Sequence, residues 1–263
     1  MKRSAFSRLV VNARSEAELV LSIAASEGQD IREELSIRAG GRTLEPREIV
    51  DDRGTRLHVV RVGAGRVEID YRVDVEGRQD PIGLADLDAI QYLRPSRYCE
   101  SDTLFPTAKS EFEGLEGRDL LSAVSSWVGT RLSYVPGASA PTDGAVQTYL
   151  DRRGVCRDYA HLVIALLRAR DVPARLVSVY APGLAPMDFH AVAEALVDGA
   201  WHVVDATGLA PRQTLVRIAT GRDASDTAFL SSSGGWVQLL ELEVGATADV
   251  LPRDDVRDFV SIG

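Results

Sequence analysis

Between Arg152 and Tyr180 a cysteine, Cys156, follows Gly154 and Val155 and heads a long apolar-periodic run. A cysteine in the first turn of a helix meets unpaired N–H groups and the positive end of the helix dipole, which favour a thiolate. Arg157 adds positive charge beside it. A thiolate is a nucleophile, and its natural target is an amide or ester carbonyl. The competing reading is a small, inert core residue. That reading weakens only if a base reaches Cys156.

Four histidines are available: His58, His161, His190 and His202. His58 falls in an N-terminal β region. His161 follows Cys156 by five residues on the same helix and points to another side, a structural or surface position. His190 and His202 belong to "HAVAEALVDGAWHVVDA", a hairpin whose turn is Asp198-Gly199. A two-residue turn sets Val197 opposite Ala200 and His190 opposite Thr207. His190 and Asp205 then share a face as diagonal neighbours, about 7–8 Å apart at the backbone. His202 points the other way. A three-residue turn would reverse the parity.

Cys156, His190 and Asp205, in that order, are what a thiol nucleophile needs: a base to take its proton and a carboxylate to orient the base. Asp188 and Glu194 are competing carboxylates, the first in the preceding loop and the second deeper along the strand. The Cys156 N–H is one candidate oxyanion donor, and Tyr134 or Gln147 a candidate second. The same three side chains could instead hold a metal. No Cys-x-x-Cys or His-x-x-x-His pair supports that, and neither metal nor cofactor is expected.

The elements that must position these residues follow from apolar periodicity. Residues 1–100 alternate apolar with polar residues in "RLVVNARSEAELVLSIAAS", "REELSIRAG", "TRLHVVRVG" and "GRVEIDYRVDVEG", which predicts an antiparallel β-sandwich domain. "EGRQDPIGLADLDAIQYLRPSRYCESD" breaks the pattern and sets a boundary near Arg94 to Asp102. Residues 101–263 form the second expected domain. It starts with a helix carrying Leu120, Val124, Trp127 and Val128, and continues with one over "TDGAVQTYLDRR" capped by Thr142 or Asp143. A third helix runs from about Val155 to Arg170 and is stopped by Pro173. Strands follow, so the fold class is α+β with an antiparallel sheet.

Composition excludes several classes of function. The 263 residues are 45% hydrophobic and 26% charged, with 39 acidic against 30 basic residues and a net charge of −9. That charge argues against nucleic acid or an anionic membrane as partner. The N-terminus lacks the continuous apolar core of a signal peptide, and no run approaches a membrane span. Two cysteines are too few for a disulfide framework, so a cytoplasmic setting is expected.

The chain resembles the bacterial transglutaminase-like proteins, a family described as cysteine proteases. The resemblance rests on "GVCRDYAHLVIALLRARDVPARLVSVY", "DFHAVAEALVDGAWHVVDATG" and "GRDASDTAF", with "YLRPSRYCESD" as the connector to an N-terminal β domain. It implies a papain-like transglutaminase core with Cys156, His190 and Asp205 as catalytic triad. It also implies acyl transfer from a peptide or glutamine-type amide through a thioester, ending in hydrolysis or transamidation. The substrate would be a peptide or protein. The pattern departs at Val179, Val192 and Ala206, where that family often carries Gly, Trp and Pro. The calcium dependence of animal relatives does not carry over, because no EF-hand-like loop is present. The alternative is a non-catalytic peptide- or protein-binding module on the same fold.

Overall fold

A computed structural model describes residues 1–80 and 83–262. Seven strands come first: β1 (Lys2–Ala13), β2 (Ala17–Leu21), β3 (Asp30–Ala39), β4 (Arg42–Leu44), β5 (Arg47–Val50), β6 (Arg56–Val62) and β7 (Gly65–Glu76). Helices α1 (Asp88–Gln91), α2 (Ser101–Glu111) and α3 (Gly117–Arg131) follow. Strand β8 (Ser133–Tyr134), α4 (Ala145–Asp151), β9 (Arg153–Gly154) and α5 (Cys156–Arg168) lead into β10 (Ala174–Tyr180), β11 (His190–Val197), β12 (Ala200–Val204) and β13 (Val216–Gly221). The chain closes with α6 (Ala224–Thr227), β14 (Leu230–Ser233) and β15 (Val237–Ala248). The fold is α+β with antiparallel sheets, as the periodicity predicts. Of the segment that breaks the β pattern, residues 81 and 82 lie outside the described residues.

The sandwich consists of a sheet ordered β15-β1-β7-β3-β4 and a second ordered β14-β2-β6-β5. Its strands alternate because one face of each is in the core: every second residue of β7 from Val67 to Val75 is buried. The division at residue 100 fails to describe the end of the chain. β14 pairs with β2 and β15 runs along β1 from Ala13 to Arg3, so residues 230–248 rejoin the sandwich. An alternating strand reads the same whichever sheet it joins, and its partner is decided by non-local packing.

The other half is a sheet ordered β12-β11-β10-β13, covered by helices. α5 packs on β10 and β11 and is itself surrounded by α2, α3 and α4. It is buried on nearly every side, from Asp158 to Arg168, and the run from Leu162 to Leu167 is wholly apolar. The two halves share a core: Tyr180, Val216 and Ile218 pack among the sandwich residues. The Tyr180 hydroxyl, 3.0 Å from the Ser7 hydroxyl, donates to the Ile23 carbonyl at 2.8 Å.

One local expectation changes, and the boundary segment shows a further feature. α4 takes no cap from Thr142 or Asp143. Its first N–H, on Ala145, donates to the Glu100 carboxylate at 2.9 Å. The boundary segment is also anchored. Tyr92 and Cys99 are fully buried, and the buried Arg168 guanidinium donates to the Arg94 carbonyl and the Ser96 hydroxyl, both at 3.0 Å.

Candidate active site

Cys156 is the first residue of α5 and is half-buried. What holds the helix start is a set of short-range contacts. The Asp158 carboxylate accepts the Val155 N–H at 2.8 Å and the Ser139 hydroxyl at 2.8 Å. Gly154 is required by this packing: a Cβ there would lie 2.6 Å from the Asp158 Cβ. The Arg157 guanidinium turns to Ser139, at 2.6 Å, and to the Ala140 carbonyl, at 2.7 Å. It also lies 3.4 Å from Asp158, so much of its expected charge at the helix start is offset.

The hairpin has the two-residue turn the sequence predicts. Asp198 and Gly199 both have positive φ, 53° and 75°, and the register runs from Val197 opposite Ala200 to Ala193 opposite Val204. His190 and Asp205 meet. Nε2 of the ring lies 2.8 Å from Oδ2 of the carboxylate, and both side chains are buried. The other carboxylate oxygen, Oδ1, accepts the Thr207 N–H at 2.9 Å and the Thr207 hydroxyl at 2.7 Å. Thr207 therefore fixes the orientation of Asp205. The signal for it was present in "DATG", since an aspartate readily bonds the backbone two residues on.

The second ring nitrogen of His190, Nδ1, is buried and has no oxygen or nitrogen partner, which leaves it to Cys156. Cys156 is close enough to act on the ring. Burial disfavours the imidazolium, but the charge and hydrogen bond of Asp205, with Cys156 in addition, raise the His190 pKa to about 10. Asp205 moves the opposite way: burial opposes its charge, and His190 and Thr207 more than compensate, leaving its carboxyl below the usual range. The two shifts describe one buried ion pair.

The remaining candidates separate cleanly. His202 lies on the other side of the hairpin, edge-on to Phe259 at 5.4 Å. His161 is buried and stacks on Tyr98 at 5.2 Å, its Nε2 accepting the Ala224 N–H at 3.1 Å. Burial pushes its pKa down to about 3, a neutral structural ring. His58 sits on β6 in the sandwich. Glu194 is fully buried between two arginines: it accepts Arg175 Nε at 2.8 Å and Arg217 Nη2 at 2.5 Å. Burial would raise its pKa, but the two guanidinium groups hold it at about 2. Asp188 is exposed and accepts the N–H of its neighbour Phe189 at 2.7 Å.

Of the two proposed oxyanion donors, the structure brings only Tyr134 to the cysteine. The parallel pair β8–β9 sets Tyr134 beside Gly154, two residues before Cys156. Burial, and then the charge of Cys156, raise the Tyr134 hydroxyl to about 12. Gln147 is exposed on α4. Among the described residues no group of three or more His, Cys, Asp or Glu side chains could hold a metal, and no helix is long and apolar enough to cross a membrane. Cys156 and His190 open onto a pocket of about 390 Å³.

Comparison with known proteins identifies the family of the chain. The model of the Transglutaminase-like superfamily matches residues 110–206, a span that includes Cys156, His190 and Asp205. The crystal structure of a "Putative Cysteine Protease" from Cytophaga hutchinsonii is 32% identical over 100% of this chain and 98% of its own, with a TM-score of 0.87. The Uncharacterized protein ML0607 of Mycobacterium leprae is 27% identical over 152 residues; the match spans about half of each chain, 53%. With a full-length structural relative above 30% identity and a family model laid over the three site residues, the chain belongs to the transglutaminase-like superfamily.

Proposed function

We propose that this protein is a cysteine-dependent acyl-transfer enzyme acting on amides of a peptide or protein. The observation that supports this best is the buried His190–Asp205 pair, 2.8 Å apart, with its free Nδ1 beside a helix-start cysteine at the mouth of a pocket. With the thiol proton already resting on His190 Nδ1 as imidazolium, Sγ attacks the carbonyl carbon. The oxyanion that forms is met by the Cys156 N–H, with the Tyr134 hydroxyl beside it. The imidazolium returns its proton to the leaving amine, the C–N bond breaks, and a thioester remains. Water or a second amine then attacks the thioester. His190 accepts the proton of that nucleophile and passes it to Sγ as the thiolate leaves.

A thiol probe followed by intact-mass analysis tests the reading. Iodoacetamide near neutral pH should label Cys156 and spare Cys99, whose thiol is enclosed and raised far above its ordinary range by burial. Activated esters should leave one acyl group on Cys156. An ester panel that leaves no acyl group there, or labelling of Cys99 at an equal rate, would refute it.

The pH dependence should carry the mark of the ion pair. With the His190 pKa raised to about 10, the ring keeps its proton for the leaving amine well above the ordinary histidine range. The alkaline limb of amide cleavage should therefore lie toward pH 10 rather than near 6.5. The stability contributed by the raised histidine is complete below about 6.5 and is lost as pH rises through about 10. That contributed by Asp205 is lost at the acid end, as pH falls below the ordinary carboxylate range. An alkaline limb near 6.5 would mean that Asp205 does not hold the charged ring.

A further inference from the structure

The pocket beside Cys156 is asymmetric in origin. Leu176, Phe189 and Ile218 come from the α+β half, and Phe229, Leu230 and Leu242 from the segment that returns to the sandwich. Phe189 and Phe229 stack across that seam, with ring centroids 5.2 Å apart. The lining is thus apolar from both halves. Besides the His190 ring, already paired with Asp205, its charged members are Arg157 and Asp188, opposite in sign. Arg157 is taken up by Ser139, Ala140 and Asp158, and Asp188 is exposed. Two further lining residues, Ser22 from the sandwich and Ser178 from β10, each have a buried hydroxyl oxygen with no partner.

We infer that this pocket selects the acyl donor: it receives a large neutral side chain next to the scissile carbonyl, mainly apolar, with Ser22 and Ser178 able to meet one neutral hydrogen-bonding group on it. The inference rests on the acyl-transfer reading and adds a substrate class to it. An acidic side chain would lose its water without gaining a free cation, and a basic one would gain only the exposed Asp188, a solvent-screened pair that contributes little. An aromatic or long aliphatic one exchanges water for the Phe189–Phe229 wall. Leu242 and Phe229 are then specificity-determining residues, and the sandwich forms part of the substrate site.

The test is the rate of Cys156 acylation by p-nitrophenyl esters of N-acetyl amino acids, read by nitrophenol release and intact mass. Phe, Tyr and Leu esters should react at least about tenfold faster than Lys and Glu esters, the lower end for burying one large apolar side chain. Leu242→Lys should reverse part of this order, slowing the Phe ester and speeding the Glu ester. Leu242 lies at the surface, 36% exposed, so the substitution is compatible with folding, and a gain in rate cannot come from unfolding. Phe229→Ala should flatten the preference for Phe over Ala esters. Acylation at similar rates by all esters, or faster by Lys or Glu esters, overturns the pocket assignment while leaving the acyl-transfer reading standing. An absence of acylation by every ester overturns both.

Discussion

His190→Ala is expected to lower the rate of Cys156 acylation by about 10³-fold or more, while His202→Ala leaves it within a few-fold of the parent. The two rings are twelve positions apart on one hairpin but on opposite sides of it. His190 holds Asp205 at 2.8 Å, whereas His202 meets Phe259 on the opposite side. His202→Ala should cost stability alone, within about 0.5–3 kcal/mol. Asp205→Asn sharpens the test. An amide NH₂ facing Nε2 would make that nitrogen the acceptor and move the ring proton to Nδ1, where a lone pair is needed for the thiol. A loss of about 10²–10⁴-fold with little change in Tm is expected. The measurement is single-turnover release from an activated ester. A normal rate in His190→Ala with a dead His202→Ala would reverse the assignment.

Glu194→Ala should produce the largest loss of stability. It would leave the buried guanidinium groups of Arg175 and Arg217 without their shared carboxylate. Removing one partner from a buried pair costs about 3–5 kcal/mol. At about 2–4 °C per kcal/mol, Tm should fall by about 6–20 °C. The pH dependence adds a control. Because the Glu194 pKa is held down at about 2, its contribution is complete above the ordinary glutamate range and is lost as pH falls toward 2. The parent should therefore lose stability on acidification more steeply than the variant. A change below about 1 kcal/mol would mean that the two arginines reach other partners or water.

Much of the candidate site was legible in the sequence because its geometry is local. Asp198-Gly199 adopts the positive φ angles that a two-residue turn requires, and strand parity then carries His190 and Asp205 to one face. The start of α5 is likewise short-range: Gly154 admits Asp158, and Asp158 caps the helix at Val155. The alternating strands and the apolar helix were readable for the same reason, since periodicity is a property of the residues themselves.

The tertiary structure alone decided the rest, because it depends on residues far apart in the chain. The closing strands return to the sandwich, and the sequence shows only that they are strands, not that β1 and β2 are their partners. α4 is capped by Glu100, forty-five residues from the N–H it accepts. Glu194 could have been a rival to Asp205 by parity, and only the approach of Arg175 from β10 and Arg217 from β13 makes it structural. Tyr134 was separable from Gln147 only after β8 paired with β9. Residue order and turn chemistry therefore determined the candidate set of Cys156, His190 and Asp205. Long-range strand pairing and burial decided which charges stay neutralised inside the protein and which walls surround the thiol.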